Sequence, residues 1–234
     1  MMRPDDMVVL LDVDNTLLDN DRIVTDIGNR LERDFGAAGR QRYWNIFETL
    51  REELGYADYL GALQRYRLSD MNGPQLLLMS AFLVDYPFAE RLYPAALDVV
   101  RHLGALGRTV ILSDGDAVFQ PRKMQRSGLW DAVDGRVLIY IHKEQMLEAV
   151  VRRYPAAHYV MVDDKLRVLQ AMKISLENRL TTVFVRQGHY ALDPKHISNY
   201  RKADMTVENI GALLDLDCSS MSGNSGPAQL ARRA

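Results

Sequence analysis

Short apolar runs that end in polar residues recur along the chain and predict the strands of a sheet. Six such runs lie at residues 7–13, 109–112, 136–141, 158–162, 181–185 and, more weakly, 203–207. Helix-like segments lie between them at residues 94–106, 120–127, 144–153 and 166–172. Uninterrupted apolar runs of this length are typical of parallel strands that are buried on both faces. The alternation therefore predicts an α/β fold with a doubly wound parallel sheet.

The stretch from residue 18 to residue 93 interrupts this alternation, because its apolar residues recur at helical spacing. One apolar stripe consists of Ile23, Ile27, Leu31 and Phe35, and a second of Tyr43, Ile46, Phe47, Leu50 and Leu54. Leu60 and Leu63 indicate a third helix, and the apolar run 76–84, which Pro74 introduces, predicts a central fourth. We therefore expect a helical insertion between the first and second strands.

These patterns predict a core of residues 1–17 and 94–216, a helical cap of residues 18–93, and a disordered tail of residues 217–234. The tail is rich in Ser, Gly and Ala. Three aromatic residues of the cap, Trp44, Phe47 and Phe82, could line a pocket, but their helical spacing favours core positions.

Composition places the chain among folded, soluble proteins. Of its 234 residues, 47% are hydrophobic and 26% are charged, which are ordinary globular values. A net charge of -2 provides no general attraction to nucleic acid or anionic lipid. The single cysteine, Cys218, excludes an internal disulfide and a multi-cysteine metal site. We expect a cytoplasmic protein with no nucleic-acid or membrane partner, and its oligomeric state remains open.

Acidic and polar residues follow four of the predicted strands. In strand order they are Asp12 and Asp14, then Ser113, Asp114 and Gly115, then Lys143, and finally Asp163 and Asp164. Ligands of such sheets bind beyond the carboxyl ends of the strands. Two carboxylates about 4 Å apart repel by roughly 4 kcal/mol at an effective dielectric near 20, so this group of carboxylates requires a cation. Oxygen ligands without Cys or paired His favour Mg²⁺. A turn or helix cap explains any one of these aspartates, but not the set.

The sequence from Asp12 to Leu18, DVDNTLL, resembles the first motif, DxDxT, of the haloacid dehalogenase-like (HAD) hydrolase superfamily. Ser113, Lys143 and the pair Asp163-Asp164 are similar to its second, third and fourth motifs, in the same order. The resemblance covers roughly residues 7 to 215. It implies a Rossmann-like core, and the helical insertion is similar to the cap of one subclass.

The resemblance also implies roles for the motif residues. Asp12 would be the nucleophile that forms an aspartyl-phosphate, and Asp14 the general acid and base. Ser113 and the backbone N–H groups of Asp114 and Gly115 would hold the phosphate. Lys143 would supply positive charge to the phosphoryl group and to Asp12.

The same resemblance implies a Mg²⁺ site formed by Asp12, the backbone carbonyl of Asp14, Asp163 and Asp164. Asp164 is the expected direct ligand, and Asp163 is expected to bind through water. The chain departs from the common pattern at three positions. Val168 and Leu169 stand where a further aspartate is usual, and Glu144 stands where many members have proline.

Several other polar residues have two interpretations. Lys123 could take the role of Lys143, but its place in a helix-like segment favours a solvent-exposed face. Asp114 and Asp116 could contact substrate or only form a turn. His142 and His189 lie near strand ends and could touch substrate, although single histidines are more often structural. Asn15 and Thr16 are expected to close the loop after the first strand.

The function expected from these observations is a Mg²⁺-dependent phosphatase for a small phosphorylated metabolite, with the cap closing over the site. A phosphomutase or a 2-haloacid dehalogenase of the same superfamily is the alternative enzyme. Asp14 favours phosphoryl chemistry, because the dehalogenases of the family generally lack this second aspartate. A noncatalytic phospho-acceptor or binding domain is a further alternative, although receiver domains carry their acidic pair on the first strand and not on the fourth.

Overall fold

The computed structural model describes residues 6–68 and 73–217. Six strands form one parallel sheet in the order β3-β2-β1-β4-β5-β6. They are β1 Met7–Leu11, β2 Arg108–Asp114, β3 Val137–Tyr140, β4 His158–Asp163, β5 Leu180–Val185 and β6 Met205–Val207. All six predicted strands are present, and the predicted α/β fold class with a doubly wound sheet is confirmed. The predicted tail lies, except for residue 217, outside the described residues.

Helices cover both faces of the sheet. They are α1 Asn20–Leu54, α2 Tyr59–Arg67, α3 Pro74–Val84, α4 Ala96–Leu106, α5 Phe119–Ser127, α6 Leu129–Ala132, α7 Leu147–Arg153, α8 Leu166–Leu176, α9 Gly188–Leu192 and α10 Pro194–Ile197. Short 3-10 turns lie at Phe88–Arg91, Lys143–Gln145, Glu177–Arg179 and Ile210–Asp215. No helix of the described ranges is long and apolar enough to cross a membrane.

Strand β1 lies in the middle of the sheet, between β2 and β4. Its alternate side chains enter two different apolar clusters, Val9 and Leu11 on one face and Val8 and Leu10 on the other. This double burial explains why the strand is apolar at every position. The hydrogen bond from the Asp12 N–H to the Val162 carbonyl (3.0 Å) continues the β1–β4 pairing, so the end of β1 is fixed beside the end of β4.

The two apolar stripes predicted after the first strand lie on one long segment, α1, that is broken at Gly36. Gly36 has φ 72° and ψ 172°, a conformation that favours glycine. The first half buries Ile23, Ile27 and Leu31, and the second half buries Tyr43, Phe47 and Leu50. The interruption redirects the second half, which packs with α2.

Helix α3 differs from the central helix that the sequence predicts. Leu76, Met79 and Leu83 are buried, but Leu77 and Leu78 are 73% and 57% exposed. A dense apolar run therefore occupies a helix that is buried on one side only. The predicted helix 144–153 also begins later than expected, because a 3-10 turn at Lys143–Gln145 precedes α7.

The chain leaves the sheet for α1 and returns to it at adjacent positions. Leu18 and Leu92 form an antiparallel bridge. The Asp19 N–H donates to the Arg91 carbonyl (2.7 Å), and the Tyr93 N–H donates to the Leu17 carbonyl (3.0 Å). The helices α1 to α3 thus join the sheet through two neighbouring chain segments. These segments lie close to the expected domain boundaries at residues 18 and 93, which remain a prediction.

Candidate active site

Three aspartates meet at the carboxyl ends of the central strands β1 and β4. Asp12, Asp163 and Asp164 are all buried, and one carboxylate oxygen from each lies within 4.8 Å of the others. Parallel pairing of β1 with β4 accounts for this, since it brings the two strand ends to the same edge. We refer to these three residues as the acidic cluster.

Lys143 provides the positive charge in contact with the acidic cluster. Its Nζ donates to Asp12 Oδ1 and to the Leu112 carbonyl oxygen (3.3 Å), and lies 2.7 Å from Asp163 Oδ2. Burial alone would lower the pKa of Lys143, but the neighbouring carboxylates of Asp12, Asp163 and Asp114 raise it above its usual value. Lys143 is therefore a buried ammonium group.

One lysine does not balance three carboxylates. Burial raises the pKa of both Asp163 and Asp164 above the usual value, although Lys143 and Lys165 act in the opposite direction. Asp12 Oδ2, Asp163 Oδ2 and both carboxylate oxygens of Asp164 are buried and accept no hydrogen bond from any described residue, although Asp163 Oδ2 forms an ion pair with Lys143. Buried oxygens without partners are uncommon, and a hard divalent cation is a suitable partner for them.

The arrangement distinguishes the two aspartates of the fourth motif. Asp163 already accepts from the Lys165 N–H (2.8 Å) and pairs with Lys143, whereas the Asp164 carboxylate has no partner among the described residues. The expectation that Asp164 is the direct metal ligand stays a prediction.

The Asp14 side chain has different partners from those of the acidic cluster. Its Oδ1 accepts from Lys123 Nζ (2.6 Å), and its Oδ2 accepts from Gln120 Nε2 (3.1 Å). Lys123 Nζ also donates to Asn20 Oδ1 (3.1 Å). Both lysine and glutamine come from α5, so one helix holds both oxygens of this carboxylate.

The prediction of a solvent-exposed Lys123 was wrong, because its side chain is buried. The buried residues of α5 are Phe119, Gln120, Lys123, Met124 and Ser127. They recur at three- and four-residue intervals, the spacing of one helical face. The sequence carried this signal, but the low hydrophobicity of the segment concealed it.

One of the two backbone N–H groups expected to hold phosphate has another partner here. The Gly115 N–H donates to the Tyr140 carbonyl (2.9 Å), so it is not free for a phosphate in this arrangement. Asp114 Oδ1 accepts from the Lys143 N–H (2.7 Å) and fixes the turn that carries Lys143. Burial raises the pKa of Asp114 to about 6. Ser113 lies at the site, where its Oγ accepts from Gln120 Nε2 (2.9 Å).

Gln120 is a site residue that the sequence analysis missed. It bridges Asp14 and Ser113 with one amide nitrogen. Asp116, by contrast, belongs to the turn, because its Oδ1 accepts from the N–H groups of Val118 (2.7 Å) and Phe119 (2.6 Å) at the start of α5. No simple motif identifies such a bridge before the fold is known.

The loop after β1 is closed by Asn15, as expected, but not by the Thr16 side chain, whose buried Oγ1 has no hydrogen-bond partner among the described residues. Asn15 has φ 62° and accepts through Oδ1 from the N–H groups of Asn20 (3.0 Å) and Asp21 (3.2 Å). The Thr16 N–H donates to the Val13 carbonyl (3.2 Å). Gly188, after β5, packs so closely here that a Cβ atom would lie 2.4 Å from the Asn15 Cβ.

A cavity of about 590 Å³ lies between helices α1 and α2 and the edge of the sheet, and Asp14 lines it. The helices contribute aromatic residues, among them Trp44, Phe47, Tyr56 and Tyr59. The sheet side contributes residues such as His142, Lys165, Arg167, His189 and Tyr190. Trp44 and Phe47 therefore line a pocket in addition to packing in the core, whereas Phe82 packs edge-on against the Tyr86 ring. His189 also pairs with Asp21 (2.6 Å).

Comparisons with known proteins agree with this geometry. The family model of haloacid dehalogenase-like hydrolases matches residues 7–174. The crystal structure of a haloacid dehalogenase-like hydrolase from Burkholderia xenovorans LB400 is 66% identical, covers 92% of this chain and 98% of its own, and has a TM-score of 0.86. No curated protein matches the chain.

More distant structures share the fold. The L-2-haloacid dehalogenase of Xanthobacter autotrophicus with chloropropionic acid covalently bound is 18% identical over 88% of this chain and 96% of its own, with a TM-score of 0.58. A HAD-hydrolase of Bacillus subtilis bound to magnesium is 16% identical over 90% of this chain and 99% of its own, with a TM-score of 0.58. At these identities the likeness concerns the fold alone.

Proposed function

Because this chain belongs to the haloacid dehalogenase-like hydrolases, we propose that it is a Mg²⁺-dependent phosphatase acting on a small phosphate monoester. The observation that carries the proposal is the acidic cluster, whose buried oxygens on Asp12 and Asp164 lack partners. Asp12, Asp164 and the backbone carbonyl of Asp14 would hold the cation, with Asp163 acting through water. When bound, Mg²⁺ would offset the charge of the carboxylates and of the phosphoryl oxygens.

The side chains of this chain then divide the reaction between them. A carboxylate oxygen of Asp12 attacks phosphorus, and the bond from phosphorus to the leaving oxygen breaks. Asp14, which must carry a proton when the substrate binds, gives that proton to the leaving oxygen. The resulting carboxylate later takes a proton from the water that hydrolyses the aspartyl-phosphate, which releases inorganic phosphate and restores Asp12. Ser113 contributes a hydroxyl to the phosphoryl oxygens. The aromatic wall of the cavity excludes water around the reacting group.

The dehalogenase alternative is weaker because of Asp14. A departing halide is a very weak base and needs no proton, so an acid at this place has no function in the first step. Lys123 and Gln120 nevertheless hold Asp14 through both of its oxygens at the cavity wall. These two contacts fix the position of the Asp14 carboxyl group, and an acid-base residue at this position favours a leaving group that must be protonated.

Phosphate release from para-nitrophenyl phosphate tests the proposal. We expect turnover with Mg²⁺, none in excess EDTA, and none in Asp12→Asn, which loses the nucleophile but keeps its shape. Asp98→Asn, an exposed aspartate on α4, is the matched control and should retain full activity. Thermal unfolding confirms that each variant is folded.

The same proteins incubated with L-2-chloropropionate separate the two chemistries. Chloride release without phosphate release would replace the phosphatase by a dehalogenase. An Asp12→Asn variant as fast as wild type would remove the covalent mechanism altogether. Transfer of phosphate between two positions of one sugar phosphate, without release, would indicate a mutase.

A further inference from the structure

The Lys143 ammonium group is enclosed by oxygen atoms of the protein. A lysine ammonium group has three N–H donors. Two of those of Lys143 donate to Asp12 Oδ1 and to the Leu112 carbonyl oxygen (3.3 Å), and Nζ forms an ion pair with Asp163 Oδ2 (2.7 Å). Its side chain is 3% exposed. Lys143 therefore neutralises the acidic cluster but does not extend into the cavity.

The proposed function leaves charge on the substrate without a partner. Three carboxylates in the cluster are offset by Lys143 and one divalent cation, so the cluster is then neutral. A phosphate monoester arrives as a dianion, and its phosphoryl oxygens need further positive charge close by.

Most cations on the cavity wall already pair with carboxylates. Arg51 lies 2.8 Å from Glu48, and Arg167 lies 2.5 Å from Glu144. Lys165 also lines the cavity, yet no carboxylate oxygen in residues 6–68 and 73–217 lies within 4.0 Å of its Nζ. Its Nζ instead lies 4.8 Å from the centre of the Tyr190 ring.

Lys165 is also well placed along the chain. It directly follows Asp163 and Asp164 and precedes the first residue of α8. Its backbone is fixed by the hydrogen bond from its N–H to Asp163 Oδ1 (2.8 Å). The side chain is only partly exposed and extends along the wall shared with Tyr190. A free ammonium group is thus anchored next to the acidic cluster and open to the cavity.

We propose that Lys165 binds the phosphoryl group of the substrate, so that two lysines share the neutralisation of negative charge at this site. Lys143 neutralises the nucleophile side, and Lys165 contacts the transferred anion. This inference rests on the proposed function, and it assigns a substrate-binding role to a residue that the motif pattern does not include.

Binding of inorganic phosphate to the full chain in saturating Mg²⁺ tests this role. In Lys165→Met we expect phosphate to bind roughly 10- to 100-fold more weakly, as for the loss of one charge-assisted hydrogen bond. The KM for para-nitrophenyl phosphate should rise by a similar factor, while kcat changes by less than about five-fold. Lys165→Arg keeps charge and donors and should recover most of the affinity.

A purely electrostatic role gives a different result. If Lys165 only offsets the acidic cluster, Lys165→Met will tighten Mg²⁺ binding and leave phosphate affinity unchanged, which overturns the proposal. Lys202→Met, an exposed lysine, is the matched control and should match wild type in every measurement.

Failure of the proposed function is distinguishable from failure of this inference. If wild type hydrolyses no phosphate ester, the phosphatase proposal fails, but calorimetry of phosphate binding still reports on Lys165. Weaker binding in Lys165→Met then supports its role, and equal binding overturns it. A wild-type protein that neither hydrolyses phosphate esters nor binds inorganic phosphate overturns both.

Discussion

Lys143 and Lys123 are both almost completely buried, and each pairs with an aspartate of the loop after β1, but their surroundings differ. Lys143 pairs with Asp12 and Asp163, and Asp164 lies beside these two aspartates in the acidic cluster. Among the carboxylates of residues 6–68 and 73–217, Lys123 pairs only with Asp14, and its Nζ also donates to the amide oxygen of Asn20. The first lysine is outnumbered by carboxylates, whereas the second forms a balanced pair.

This difference separates two aspartates that stand only two positions apart. Asp12 keeps one carboxylate oxygen without a partner, while both oxygens of Asp14 accept hydrogen bonds from α5. The excess negative charge needs an external cation, and the balanced pair does not. Residue type alone therefore does not assign a role in this loop. The number and kind of partners do.

The largest expected effect concerns the balanced pair. Asp14→Asn should lower kcat by about 10²- to 10⁴-fold, the usual contribution of general acid-base catalysis. Lys123→Met should have a smaller effect, roughly ten-fold, because Gln120 still holds one oxygen of Asp14. Steady-state kinetics with an alkyl phosphate ester, whose alkoxide leaving group needs a proton, measured beside thermal unfolding, gives both values. A destabilised Asp14→Asn variant that keeps kcat within a few-fold of wild type would show that Asp14 has a structural role and not an acid-base role.

The next effect compares the two lysines in stability. Lys143→Met leaves two buried carboxylates without their cation and should lower the free energy of unfolding by about 3–5 kcal/mol. Lys123→Met should cost only about 1–2 kcal/mol, because the Asp14 side chain is 25% exposed and retains water. Urea unfolding in EDTA measures both. Equal losses would mean that the two pairs do not differ as described.

The smallest effect is a pH dependence at Asp114. Its pKa is raised to about 6 by burial, while an aspartate in the unfolded chain titrates near 4. Between these values the folded state binds more protons, so this residue lowers stability as pH rises from about 4 to 6.

Asp114→Asn lacks this titration but can still accept the Lys143 N–H through its amide oxygen. Relative to wild type its free energy of unfolding in EDTA should increase, by on the order of 1–3 kcal/mol, between pH 4 and pH 7. Urea unfolding across this range measures the difference. A difference that does not vary with pH would show that Asp114 is not titrating there.

The sheet and the acidic cluster could be predicted because their signals are local. A strand that is buried on both faces is apolar at each position, and the residue after it lies at the functional edge. Asp12, Asp163 and Asp164 follow from that rule. The alternation of strands and helices predicted a parallel sheet, but it did not predict the order of the strands in that sheet.

The partners of Asp14 could not be predicted in the same way. The burial of Lys123 depends on how α5 packs against the start of α1, which brings Asn20 within 3.1 Å of its ammonium group. The role proposed for Lys165 depends on the burial of Lys143 among the carboxylates of the acidic cluster. Such contacts join residues distant in the chain, and each residue is polar, so hydrophobic periodicity contains little information about them.

The antiparallel bridge between Leu18 and Leu92 has an evolutionary consequence. Because the chain leaves and re-enters the sheet at neighbouring points, the intervening helices form an insertion whose two ends are held together. Their length, sequence and packing can diverge while the ends of β1 and β2 keep their spacing. Mutational change in substrate preference can thus accumulate in a segment that contributes cavity walls, under weaker constraint than the strand ends that hold Asp12 and Asp164.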